Sequence, residues 1–290
     1  MLLGAVLLWA LNVTVTKYMF EHGWLPLAYG TIRYFAAIAI FWVYTWRREG
    51  SFRIARSDWK YVGIAAVTIF VNQVCFVYSL EFAHASTVSL LFGSCPIFVG
   101  LITIAFRQAS VDRSFWIGAG LTLAGVGLIA AGAGGGLVSG WKGDLLAISL
   151  AVTWASYTTA IAPLMRRYSP YRISAVVLAI GWLPLALVSI PQISRQDFSF
   201  SGTVWLGFAY AVIGPLFLTN ILWFTAVDRV GAPRATIFNN MQPFFGVLFA
   251  LLILSESIHG LEIAGGVLIF AGIAYERVGR EVPARVPTAE

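Results

Sequence analysis

The sequence predicts an all-α integral membrane protein: ten transmembrane helices in two inverted five-helix repeats, with both termini in the cytoplasm. Three observations carry that prediction. The 290-residue chain is 59% hydrophobic and 11% charged, with mean hydropathy +0.81, well above the apolar share of soluble domains. Its apolar residues form continuous runs of about twenty, enough to span a bilayer as a helix, and lack the every-second-residue alternation of a membrane β-barrel. The run around Pro96 recurs 147 residues later around Pro243.

Taken in order, spans are expected at roughly 2–20, 26–46, 59–80, 85–106, 114–133, 144–164, 172–192, 203–226, 233–254 and 260–278. The first reads as a span and not as a signal peptide, because it has no basic leader and no clear cleavage site. Pro184 interrupts span seven and Pro215, after Gly214, interrupts span eight; a helix bends at such places. Arg47, Arg48, Arg53, Arg56 and Lys60 lie between spans two and three, and Arg107 and Arg113 between four and five. Arg166, Arg167 and Arg172 lie between six and seven, Arg229 and Arg234 between eight and nine, and Arg277, Arg280 and Arg285 at the end. The opposite side carries only Lys142 and Arg195. Cytoplasmic loops hold the excess of Lys and Arg, so both termini face inward. The net charge of +6 is thus a topology signal and not a nucleic-acid surface.

The repeat divides the chain into residues 1–137, residues 138–280 and a short cytoplasmic tail, 281–290. At the 147-residue shift Phe98 meets Phe245, Gly118 meets Gly265 and Gly125 meets Gly272. An odd number of spans per half makes the halves cross the membrane in opposite senses, as in many secondary transporters. Pro96 and Pro243, expected near the middle of their helices, free backbone carbonyls and read as hinges lining a central cavity. A purely structural bend is the plain alternative.

Polar side chains near mid-depth are expected to face the bundle interior. They include Asn12, Asn72, Gln73, Asn220, Asn239, Asn240 and Gln242; hydrogen bonding between helices is their other use. Trp9 and Trp154 occupy equivalent spans, with Tyr157 one turn on, and such rings stack on an apolar substrate or pack the core. Arg33 and Lys17 lie inside spans two and one; each snorkels, pairs with an acid, or attracts a substrate carboxylate. No Asp or Glu falls deep in a span, so the proton relay usual in coupled carriers is missing. Cys75 and Cys95 sit in apolar runs, and no Cys/His cluster implies a metal. The run Gly132–Gly136 lacks the Lys-Ser/Thr ending of a phosphate loop. No cofactor and no catalytic constellation is expected.

Several motifs carry a family resemblance: Trp9-Ala10-Leu11-Asn12, Arg33 in span two, Trp154-Ala155-Ser156-Tyr157, Ser255-Glu256, and Gly265-Gly266 with Gly272. The chain resembles the ten-helix drug/metabolite transporter superfamily, in its EamA-type branch, and is most similar there to the bacterial YddG-type amino-acid exporters. Ala10 and Ser255 stand where that family has glycine. The resemblance implies export of small amphipathic metabolites, amino acids and especially aromatic ones, across the inner membrane. The residues add alternating access around a midplane site of Trp9, Asn12, Gln73, Trp154, Tyr157, Asn220, Asn239 and Gln242, with Pro96, Pro243, Pro184 and Pro215 as hinges. The partners are a small-molecule substrate and the lipid bilayer, and the protein is a monomer or homodimer. Another substrate class, or a receptor or scaffold role, is the alternative.

Overall fold

The structure, a computed structural model, describes residues 1–82, 88, 91–132, 141–254 and 260–278, without the side chains of Lys17, Leu80, Glu81, Val247 and 250–254. Ser255-Glu256, the boundary at 137/138 and the tail 281–290 lie outside the described residues, as does the Lys17 side chain.

The described elements are helical. They are α1 (Leu2–Glu21), α2 (Pro26–Glu49), α3 (Trp59–Phe82), α4 (Cys95–Ala105), α5 (Arg113–Gly132), α6 (Trp141–Met165) and α7 (Pro170–Ile193). Next, α8 (Gly202–Val212) runs through a π-helical turn, Ile213–Leu218, into α9 (Thr219–Val230). Then α10 (Ala232–Ile237) runs through a 3-10 turn, Phe238–Asn240, into α11 (Met241–Leu254), and α12 (Gly260–Val278) follows. Among the described residues, seven stretches are long and apolar enough to cross a membrane: α1, α2, the segment Arg56–Ser79 containing most of α3, α5, α6, α7, and Gly202–Val230. A helix satisfies its own backbone groups, which is why apolar runs of this length fold this way in hydrocarbon.

Local chemistry sets the ends. Pro26 and Pro170 open α2 and α7, where a missing N–H is no loss. Ser169 and Ser201 cap α7 and α8 by accepting from Arg172 N and Val204 N. Gly50 closes α2 at φ 63°, a conformation glycine adopts without strain.

Two prolines expected at mid-helix stand in first turns instead. Pro96 is the second residue of α4, after a turn at Gly93–Ser94. Pro243 is the third residue of α11, after the 3-10 turn. The first N–H groups of a helix have no partner within it, so proline sits there at little cost. The break is made just upstream, as a turn. Pro184 does lie inside α7, and Pro215 lies in the π turn.

The pairing of helices is reciprocal. α2 packs on α7, and α5 on α12. α3 packs on α6 as α8–α9 packs on α1, and α4 packs on α6 as α11 packs on α1. The α5–α12 seam is antiparallel and closest at its glycines. A Cβ on Gly118 would lie 2.8 Å from the Gly272 carbonyl oxygen, and one on Gly125 2.6 Å from that of Gly265. The reverse additions, on Gly272 and Gly265, would come within 2.8 and 2.5 Å of Gly118 and Gly125 carbonyl oxygens.

Polar clasps close both ends of the α2–α7 side. At one end Arg167 Nη1 donates to both Asp58 carboxylate oxygens at 3.1 Å, the Tyr168 hydroxyl donates to Asp58 at 2.8 Å, and Arg172 pairs with Glu49. By the α5–α12 pair, Arg234 pairs with Glu276 at 3.2 Å and Asp112 at 3.7 Å. At the other end Gln196 and Gln192 accept from Leu25 N and Leu27 N, both at 2.8 Å. There Trp24 stacks on Phe200 and Phe208.

Candidate functional site

Three tryptophans from three helices meet inside the bundle. Trp9 of α1 lies edge-on to Trp154 of α6, centroids 5.3 Å apart, and to Trp223 of α9 at 5.1 Å. Trp154 and Trp223 are 6.1 Å apart. Tyr157, one turn along α6, lies 5.6 Å from Trp154 and 5.9 Å from Phe224. Edge-to-face pairs at these separations are favourable for aromatic quadrupoles. The Pro215 π turn fixes the first ring: its extra residue per turn leaves the Pro215 carbonyl turned out of the regular ladder, and Trp9 Nε1 donates to it at 3.2 Å. The Thr219 hydroxyl donates to the same oxygen.

The other polar atoms here are unmatched. Trp154 Nε1, Trp223 Nε1 and the Tyr157 hydroxyl are buried and meet no hydrogen-bond partner among the described residues. Asn239 is 2% exposed, and neither its Nδ2 nor its Oδ1 is bonded; Oδ1 of Asn12 is likewise unbonded. Asn239 belongs to the 3-10 turn, which lies against α1. A buried polar group without a partner costs about 1–3 kcal/mol, and native proteins carry few. Several in one neighbourhood mark a place completed by something other than protein. Three donors and two amides, beside aromatic faces and edges, would hold a small molecule with an apolar body and a polar end. Among the described residues no three His, Cys, Asp or Glu side chains come together as metal ligands would.

Of the residues the sequence pointed to, Trp154 touches both Trp9 and Tyr157, Asn12 lies on α1 nearly one turn past Trp9, and the turn that holds Asn239 packs against α1. Gln73 connects through Tyr34, whose hydroxyl donates to Gln73 Oε1 at 2.7 Å; Tyr34 and Tyr157 belong to one apolar core. Asn220 is buried one turn before Trp223. Gln242 is half-buried in the first turn of α11, and no described hydrogen bond links it to the cluster. Two candidates are spent on packing. Asn72 Nδ2 donates to the Leu150 carbonyl and Thr153 Oγ1, joining α3 to α6. Asn240 Nδ2 donates to the Gly93 carbonyl at 3.0 Å and to Thr122 Oγ1 at 2.9 Å. The sequence reading missed Trp223 and Tyr34. Trp223 has Phe76 and Tyr34 has Gly181 at the 147-residue shift, so a search for matching pairs passes over both. Depth along the span was the signal that would have found them.

Comparison with known proteins gives four findings. The profile of the EamA-like transporter family matches residues 1–131 and again 141–275. The uncharacterized transporter YetK of Bacillus subtilis (strain 168) is 23% identical over 289 residues, covering 96% of this chain and 86% of that protein. A protein of Streptantibioticus cattleyicolor named "probable terminal-alkyne amino-acid exporter" is 25% identical over 207 residues, covering 69% of this chain and 67% of its own. A solved crystal structure matches with TM-score 0.81 at 19% identity, covering 97% of this chain and 96% of that one, which is a likeness of fold.

Proposed function

The chain belongs to the EamA-like transporter family, and from that premise we propose that it exports small amphipathic metabolites, above all aromatic amino acids, by alternating access. The protein is a multi-pass membrane transporter and not an enzyme. The observation that carries the finer reading is the cluster of Trp9, Trp154, Trp223 and Tyr157 with its unbonded N–H and O–H groups. Aromatic edges suit an aromatic or apolar side chain, and the donors suit a polar head. The amino-acid class is also that of the similar Streptantibioticus protein.

An inverted repeat is supported by reciprocal contacts. Gly118 meets Gly272 while its mate Gly265 meets Gly125, the mate of Gly272. A two-fold relation between antiparallel halves makes i meet the mate of j while j meets the mate of i. Asn240 and Gly93 are themselves mates at the 147-residue shift and are hydrogen-bonded, as residues flanking such an axis would be. The family profile also matches the halves separately. In this reading the halves, 1–137 and 138–280, rock about the tryptophan cluster. The facing turns at Gly93–Ser94 and Phe238–Asn240, each followed by a proline, absorb bending, with Pro184 and Pro215 as further flexible points. Cytoplasmic termini in the inner membrane follow from the basic loops, and the Asp58–Arg167 and Glu49–Arg172 pairs join two of those loops.

Flux of labelled aromatic amino acids through purified protein in liposomes tests the reading. Saturable flux, altered in selectivity by Trp9, Asn239 or Gln242 substitution, is expected; unchanged flux and selectivity in all three would displace the site. No carboxylate lies deep in a span, so transport is taken as facilitated. Uphill accumulation driven by a pH jump in liposomes holding only this protein would refute that part.

A further inference from the structure

Arg33 is the one cation that the structure describes deep within a span. It lies in α2, seven residues past Pro26, so about 10 Å into the helix at 1.5 Å per residue. It is 4% exposed, and Nε and Nη1 of its guanidinium are enclosed without a hydrogen-bond partner. It does not snorkel, and no described Asp or Glu pairs with it. Its guanidinium instead lies 5.0 Å from the Tyr29 ring centroid and 5.9 Å from that of Tyr34. The Tyr29 hydroxyl is itself buried and unbonded. Cation–π contacts of this kind contribute roughly 0.5–2 kcal/mol, whereas an ion removed from water loses several kcal/mol of solvation. The two rings do not make up that difference.

The repeat sharpens the anomaly. Residues 144 to 147 positions beyond Arg33 are Val177, Leu178, Ala179 and Ile180, all apolar. The second half builds the equivalent helix with no charge there, so the fold does not require the arginine. Arg33 is also tied to the tryptophan cluster, because its neighbour Tyr34 shares a core with Tyr157 and Trp223 and donates to Gln73.

We infer that Arg33 is the anion-binding subsite of the transport site and takes the carboxylate of the cargo, with the Tyr29 hydroxyl as a second donor. This rests on the transporter reading and narrows its substrate class to small carboxylates with an apolar or aromatic body. A guanidinium fork matches a carboxylate geometrically, and charge-assisted hydrogen bonds are the stronger kind.

Two arms test it. In the first, native protein in nanodiscs is treated with the arginine reagent phenylglyoxal, alone or with phenylalanine, phenylalaninamide or 3-phenylpropionate, and modification of Arg33 is read by peptide mass spectrometry. Both carboxylates are expected to protect Arg33 about tenfold better than the amide, the size of one charge-assisted hydrogen bond. Equal protection by the amide overturns the subsite. So does no protection at all, or an Arg33 that the reagent never reaches without ligand. In the second arm, Arg33→Gln and Arg33→Lys are reconstituted and flux of the same three probes is compared. The carboxylate-over-amide preference should fall about tenfold toward unity in Arg33→Gln and be partly retained in Arg33→Lys. A folded Arg33→Gln that keeps the preference shows an arginine that serves structure alone and overturns the proposal. If wild type carries none of the probes, the export reading fails, while the protection arm still decides Arg33. If Arg33→Gln does not fold, the protection arm decides it as well.

Discussion

The α5–α12 seam and the tryptophan cluster are both buried meetings of helices, built to opposite ends. At the seam, glycine lets one backbone touch another, and an added Cβ would come within 2.5–2.8 Å of a carbonyl oxygen. Its polar neighbour Thr122 is bonded to Ala119 O and to Asn240. In the cluster the rings are large and the donors of Trp154, Trp223 and Tyr157 unmatched. One region is complete as protein; the other keeps polar atoms that no described residue meets. Close contact without side chains fixes two helices as a rigid pair, while large rings around unmet donors leave polar capacity to spare, which in the proposed function selects cargo.

Substitutions separate the two regions by their effect on stability, from largest to smallest. Gly125→Leu forces a branched side chain into the Gly265 backbone. Overpacking of this sort costs about 1–3 kcal/mol or more, and a clear fall in Tm with loss of monodisperse protein should be seen by thermal-shift chromatography. Asn240→Ala leaves the Gly93 carbonyl and Thr122 without their shared donor, which costs about 1–3 kcal/mol; the Tm should fall with selectivity intact. Arg167→Gln breaks an ion pair whose arginine is mostly exposed. Such pairs contribute about 0.2–1 kcal/mol, so the Tm loss should be small and should shrink further in high salt. Trp154→Phe and Tyr157→Phe remove donors that have no protein partner. They should leave the Tm unchanged or raise it, because deleting an unbonded buried group relieves desolvation, while flux of aromatic amino acids falls several-fold. A large Tm loss in this last pair would make the cluster ordinary core and erase the distinction.

Much of the fold was legible in the sequence because hydrocarbon permits so few structures. The apolar run opened by Pro26 became α2 with that proline at its start, while the ends marked by Gly50 and Ser169 fell a few residues outside the expected bounds 26–46 and 172–192. Gly118, Gly125, Gly265 and Gly272 were legible as matched positions of the repeat, and they meet. The site was less legible. Asn72 and Asn240 look like Asn239 in a sequence, since all are amides at mid-depth, yet two are bonded between helices and one is not. Whether an amide has a partner depends on a neighbouring helix far away in the chain. Trp223 and Tyr34 escaped because neither has an identical mate in the other half, where Phe76 and Gly181 stand at the shifted positions.

The sequence by itself determined membrane insertion, helix ends and the 147-residue echo, since these follow from local solvation and backbone geometry. Tertiary structure decided where the prolines act: in the first turns of α4 and α11 and not at mid-helix, with Asn240 of one break donating to Gly93 of the other. It also decided that Arg33 is enclosed and meets no described acid, although a long basic side chain in such a span has the freedom to snorkel. Those outcomes depend on which helices pack together, and hydropathy, a property of each span alone, carries no record of that.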